Sequence, residues 1–279
     1  MAGGTPEPPE VRPAQPVASR RALRPGAVAG LDGGPIEYAW VDGADDLAPV
    51  VLLHEGLGCV TLWRDFPFLV ANATGRRVLA YSRYGYGGSG PAALPRPADF
   101  MHAEAVDVLP DLARHLGLAP AILVGHSDGA SIALIAAAAH ALDVVGVGVL
   151  APHVFVEGRS LDAIAAIRAD YLADDNLRCR LGRYHRDPDM AFWGWNDVWL
   201  ADAFRSWDIT AMLGSIDVPV VAVQGLDDPY GSTAHVEAVE SLVQGPCRGV
   251  VLESTGHAPH LENPAATVEA LAAALADLP

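Results

Sequence analysis

The chain has 279 residues, 51% of them hydrophobic and 19% charged, which is enough apolar mass to bury a substantial core. A formal charge of −16 argues against electrostatic capture of nucleic acid or of an anionic membrane surface, and no apolar run is long enough to span a bilayer. Cys59, Cys179 and Cys247 form neither a disulfide framework nor a metal-ligand spacing, so cytoplasm is the expected compartment.

Residues 1–25 are rich in Pro, Ala and Arg and lack the apolar centre of a secretory signal. Arg20, Arg21 and Arg24 faintly suggest an organelle address, but Glu7 and Glu10 weaken it, and a disordered tail is expected. Seven short apolar runs then read as strands: Ile36–Val41, Val50–Leu53, Arg77–Tyr81, Ala121–Val124, Val145–Leu150, Val218–Val223 and Gly249–Leu252. Most are continuous and Val-rich, as strands covered on both faces are. Helical patterns separate them at Phe100–Leu116 (with Pro110 expected to bend it), Ser127–Ala141, Thr233–Leu242 and Pro264–Leu278. This alternation predicts an α/β fold, with a mostly parallel central sheet flanked by helices.

From Pro152 to Trp207 the rhythm breaks. No strand pattern appears, but helical pieces do, at Ser160–Leu172, Asn176–His185 and Met190–Phe204. The chain is therefore expected to form a core from residues 26–151 and 208–279, with residues 152–207 inserted as a helical cap. Two or three of Phe192, Trp193, Trp195 and Trp199 are expected to line the entrance to a site beneath it. His153, at the start of this region, reads as a packed or capping histidine.

Four segments at predicted strand ends carry chemical groups. Gly125-His126-Ser127-Asp128-Gly129 stands between an apolar run and a helical one, the pattern of a nucleophile elbow. A serine hydroxyl is a weak nucleophile and needs a base and an orienting acid. Gly225-Leu226-Asp227-Asp228-Pro229 offers a carboxylate, and Ser254-Thr255-Gly256-His257-Ala258-Pro259 offers an imidazole. His54-Glu55-Gly56-Leu57-Gly58 is a glycine-rich turn whose amides, with that of Asp128, suit a developing oxyanion. His260 competes with His257 but lacks the preceding glycine. No metal-ligand cluster or phosphate-binding glycine pattern is present in the sequence, and no cofactor is expected.

These segments, in the order Ser, Asp, His, resemble those of α/β-hydrolase fold serine hydrolases with a helical cap. Arg83-Tyr84-Gly85-Tyr86-Gly87-Gly88-Ser89 is similar to the family's Arg–Gly–x–Gly–x–Ser loop, and Gly256-His257-Ala258-Pro259 with Glu262 and Pro264 to its histidine loop. The resemblance covers roughly residues 35–279. It implies hydrolysis of a carboxylic ester of a small to medium acyl substrate through an acyl-enzyme intermediate. Ser127 would be the nucleophile, His257 the base, Asp228 the acid, and the Gly56 and Asp128 amides the oxyanion hole. Family spacing favours Asp228 over Asp227. A lactonase or a carbon–carbon bond hydrolase on the same triad is the alternative. Dehalogenase and epoxide hydrolase chemistry is disfavoured, because those relatives carry Asp at the elbow. The expected partner is a small ester-like molecule, not nucleic acid or membrane, and a homo-oligomer is compatible with the sequence. Two departures stand out: Glu55 occupies a common Gly position, and Ser82 stands where many relatives carry Asp.

Overall fold

The computed structural model describes residues 23–279 apart from residue 32. Most of the expected tail, residues 1–22, lies outside the described residues. Leu23, inside that expected tail, is instead buried at 3% exposure, and its amide donates to the Arg64 carbonyl at 3.4 Å.

Eight strands form one sheet in the order β1-β2-β4-β3-β5-β6-β7-β8. They are β1 (Ala27–Leu31), β2 (Gly34–Val41), β3 (Val50–Leu53), β4 (Val78–Tyr81), β5 (Ala121–His126), β6 (Val144–Leu150), β7 (Val220–Gly225) and β8 (Cys247–Leu252). β2 runs antiparallel to both β1 and β4; every other pairing is parallel. Strand β1 carries no sequence signal of its own, since Ala and Gly are weak strand formers. It exists because it closes a hairpin, Leu31 pairing with Gly34.

The helices are α1 (Phe66–Thr74), α2 (Phe100–Ala103), α3 (Leu109–Leu116), α4 (Asp128–Ala138), α5 (Gly158–Ala173), α6 (Asn176–Leu181), α7 (Pro188–Leu200), α8 (Thr210–Leu213), α9 (Ala234–Leu242), α10 (Pro259–Glu262) and α11 (Pro264–Leu275). A π-helical turn, Glu104–Val108, joins α2 to α3 just before Pro110, whose missing N–H cannot complete the regular ladder. Helix α1, unmarked in the sequence reading, starts with Pro67 in its first turn and stops at Gly75 in the left-handed region, φ 72°.

Successive residues of each strand serve two cores, as the two-residue period requires. Val51 and Leu53 of β3 join the side covered by α3 and α4, while Val50 and Leu52 join the side covered by α1 and α11. Between β6 and β7 the chain leaves the sheet for α5, α6 and α7. The two passages meet at its neck, where Phe155 and Asp208 form a bridge and the Ile209 amide donates to the Val154 carbonyl at 2.8 Å. The carboxyl ends of β3, β5, β6, β7 and β8 all lie on one edge of the sheet beneath this excursion, the place where open α/β sheets bind ligands.

Candidate active site

Ser127 leaves β5 and starts α4 with φ 53° and ψ −117°, a conformation that a non-glycine residue adopts only when its surroundings demand it. Its flanks explain why both are glycine. A Cβ on Gly125 would fall 2.1 Å from the Gly129 carbonyl oxygen, and one on Gly129 would fall 1.9 Å from that of Leu53. The Ser127 amide is held by the Leu150 carbonyl at 2.9 Å, so the elbow is braced by the neighbouring strand.

From this turn the Ser127 Oγ lies 3.0 Å from His257 Nε2, and His257 Nδ1 lies 2.8 Å from Asp228 Oδ2. Facing a carboxylate, Nδ1 carries the ring proton, which leaves Nε2 free to accept one from the serine. Asp228 has no side-chain exposure. Its Oδ2 also accepts from Gln224 Nε2 at 2.7 Å, and Oδ1 accepts from the amides of Tyr230 at 2.7 Å and Gly231 at 3.3 Å. Burial works to raise its pKa, but the His257 hydrogen bond and charge, with the Tyr230 and Gln224 donors, outweigh it and hold the carboxyl below the usual range. Asp227 is exposed and takes no part. His260 is buried against Trp63, Phe66 and His126, away from Ser127's hydrogen-bond chain.

The histidine loop is held in shape by Glu262, which accepts the Gly256 amide at 2.7 Å and the Ala258 amide at 2.9 Å. His126 Nε2 donates to the His257 carbonyl at 2.7 Å. The other His126 nitrogen sits 3.4 Å from Glu55 Oε2. Burial would raise the Glu55 pKa; the hydrogen bond and charge of His126 overcome that and hold it well below the usual carboxylate range.

The glycine-rich turn after β3 is oriented by two partners. The Arg83 amide donates to His54 Nε2 at 3.0 Å, so the ring's Nδ1–H is the donor to the Glu55 carbonyl at 2.7 Å. Arg83 Nη2 reaches the same carbonyl at 2.9 Å. Because a trans peptide is planar with its C=O and N–H opposed, pinning the Glu55 carbonyl turns the Gly56 N–H the other way. Gly56 borders the cavity that also contains Ser127 and His257. Asp128, first residue of α4, has an amide with no intrahelical acceptor. Its carboxylate faces inward: fully buried, it accepts from Trp199 Nε1 at 3.1 Å and lies 3.6 Å from Arg83. Ser82, at the position that departs from the usual Asp, donates to Glu37 Oε2 at 2.6 Å and accepts the Val60 amide at 3.0 Å. A carboxylate borrowed from β2 thus braces the loop.

The residues matching one family model, described as the alpha/beta hydrolase family, run from 50 to 270. The chain belongs to this family.

Among curated proteins, this chain is 33% identical over 103 residues to the sn-1-specific diacylglycerol lipase ABHD11 of Mus musculus. That match spans 37% of this chain and only 32% of the mouse protein's length. Two solved structures share the fold over nearly the whole chain. The carboxylesterase CesB (YbfK) of Bacillus subtilis has a TM-score of 0.66 at 21% identity, covering 92% of each chain. The enol-lactonase of Burkholderia xenovorans LB400 has a TM-score of 0.67 at 20% identity, covering 89% of this chain and 99% of its own. No helix among the described residues is long and apolar enough to cross a membrane.

The cavity, about 190 Å³, is bounded by Trp195 and Trp199 of α7, with apolar side chains from α5 and α6. Of the four aromatics from which two or three were expected at the entrance, Trp195 and Trp199 border the cavity and Phe192 and Trp193 do not. Phe192, one helical turn before Trp195, is fully buried and stacked on Tyr171 with ring centroids 3.7 Å apart. Trp193 points off that face and lies under the Arg168 guanidinium. The sequence reading missed Tyr230, whose ring centroid is 4.6 Å from that of His257, and the α5 pair Ile164 and Ile167. Spacing of three residues was the available signal for that pair, but it reads equally as core packing. Likewise His153, read as packed, borders the cavity while being buried.

Proposed function

We propose that this protein is a serine hydrolase that cleaves a carboxylic ester of a small to medium acyl group through an acyl-enzyme intermediate. The single observation that carries the reading is the unbroken pair of hydrogen bonds from Ser127 through His257 to Asp228, opening on a cavity. His257 Nε2 takes the Ser127 proton as Oγ attacks the ester carbonyl. The Gly56 and Asp128 amides stabilise the oxyanion, and Asp228 stabilises the imidazolium that forms. His257 then passes the proton to the leaving alcohol and, in the second half, activates water against the acyl-serine.

The region 152–207 acts as the cap of this site, setting the size of the group admitted. A cavity of about 190 Å³ suits an acyl chain of a few carbons or one ring. Similarity of fold to a carboxylesterase and to an enol-lactonase is consistent with acyl transfer from an ester, linear or cyclic.

The test is single-turnover and steady-state kinetics on short-chain nitrophenyl esters, alongside lactones and dienoates. A nitrophenol burst stoichiometric with enzyme, abolished in Ser127→Ala, and labelling by a fluorophosphonate that is lost in the same variant are the expected results. A Ser127→Ala variant that keeps its burst would overturn the assignment.

A further inference from the structure

His153 follows β6 by three residues, after Ala151, whose φ is 46°. Its carbonyl accepts from Ser131 Oγ at 2.6 Å, which fixes the backbone to α4. The ring is packed among three others: Trp199 with centroids 5.1 Å apart, His235 at 5.2 Å and His257 at 5.8 Å. The residue is 2% exposed and borders the cavity beside Ser127.

Neither nitrogen of this ring has a hydrogen-bond partner among the described residues, and Nδ1 is wholly enclosed. Of the side chains bordering the cavity, His153 alone carries such an orphaned buried polar atom. Buried polar atoms in folded proteins are almost always paired, so a ring in a cavity wall that bonds to the fold through neither nitrogen leaves its open side for something the cavity receives. With Nδ1 enclosed, Nε2 is the nitrogen that the ring can offer.

The surroundings narrow the chemistry of that missing partner. Glu55 and Asp170 border the cavity against the single cation Arg180, and an anionic group beside Ser127 would repel the oxyanion that the proposed reaction develops. A cationic group would lie against His257 as its ring gains a proton. A neutral hydroxyl avoids both penalties. It can also donate or accept, so it satisfies Nε2 in either tautomer. Burial, with His235 and His257 close by, pushes the His153 pKa well below that of a free imidazole and keeps the ring neutral.

We propose that His153 determines specificity by hydrogen-bonding a neutral hydroxyl on the substrate close to the scissile ester. This rests on the ester-hydrolase reading of the same site. The hydroxyl belongs to the acyl or to the alcohol portion, and paired substrates separate the two sources.

The experiment compares kcat/KM for methyl 3-hydroxybutanoate against methyl butanoate, and for 2-hydroxyethyl butanoate against propyl butanoate. It uses the full chain, His153→Phe and His153→Gln, each checked for native circular dichroism. One neutral hydrogen bond formed in the transition state predicts that one hydroxylated substrate is favoured about tenfold. The ratio should fall to about one in His153→Phe and be partly retained in His153→Gln, which keeps a polar group. Ratios near one for both pairs in the unmutated protein, or a ratio unchanged in His153→Phe, overturn the proposal. Equal loss on both members of a pair would assign His153 to packing or to water, and would overturn it too. If none of the esters is turned over, the ester reading fails, and the hydroxyl contact is judged by binding. Tryptophan fluorescence of Ser127→Ala titrated with 3-hydroxybutanamide and butanamide gives that answer. Tighter binding of the hydroxyamide, lost on adding His153→Phe, supports the contact, and equal binding overturns it.

Discussion

The indole Nε1 of Trp199 donates to Asp128 Oδ1 at 3.1 Å, joining a wall of the cavity to the residue that follows Ser127. The same carboxylate lies 3.6 Å from Arg83, whose guanidinium holds the glycine-rich turn through the Glu55 carbonyl. One buried acid therefore connects the excursion, the elbow and the turn. Trp199→Phe keeps most of the apolar contact but leaves a buried carboxylate oxygen without its donor. The expected cost is about 1–3 kcal/mol, read as a lower urea midpoint with an unchanged m-value. An unaltered midpoint would show that the hydrogen bond contributes nothing to the fold.

Asp227 and Asp228 are neighbours in sequence with opposite expected effects. Asp228→Asn removes the acceptor that holds the His257 tautomer, and kcat should fall by about 10⁴. Asp227→Asn, at an exposed position, should leave kcat within about twofold. Steady-state kinetics on any turned-over ester decides it, and a large effect at Asp227 with none at Asp228 would reverse the assignment.

The protonation of Asp228 sets a stability trend with pH. Its folded pKa lies below the unfolded value, so its contribution is fully present above the unfolded value and is lost as pH falls through the folded one. The stability gap between the parent protein and Asp228→Asn should accordingly shrink as pH is lowered from about 5 toward 2. Denaturant titrations across that window measure it; a gap that widens toward acid would contradict the depressed pKa.

The three cysteines should differ in reactivity. Burial pushes the Cys59 thiol up to about 12, and that of Cys247 up to about 11. Cys179 is exposed. Iodoacetamide at pH 8 should therefore modify Cys179 first and leave Cys59 untouched until the protein unfolds, as peptide mass spectrometry would reveal. Early loss of Cys59 would mean that its surroundings open in solution.

Much of the fold was legible because its strands are short, Val-rich and buried on both faces. Strand β1 and helix α1 were not: Ala27–Leu31 becomes a strand only through pairing with β2, and α1 is set by docking against α11. The aromatic cluster of α7 was visible as a composition, yet its direction was not. Which of four neighbouring rings borders a cavity depends on how the helix is rotated against Tyr171 and Arg168, and residue types alone do not encode that rotation.

Taken alone, the sequence determined the local turns that carry the chemistry. Gly125 and Gly129 leave no room for a Cβ, and the positions of Ser127, the acidic turn and the His257 loop at strand ends follow from the alternation of elements. Tertiary structure decided which groups meet: Asp228 rather than Asp227 against the imidazole, Glu37 against Ser82, Asp128 against Trp199, and the His153 ring with no hydrogen-bond partner among the described residues. The physical reason is range. Steric limits on a turn act within a few residues, whereas a hydrogen bond between side chains far apart in the chain exists only after strand register and helix packing have placed both ends within about 3 Å.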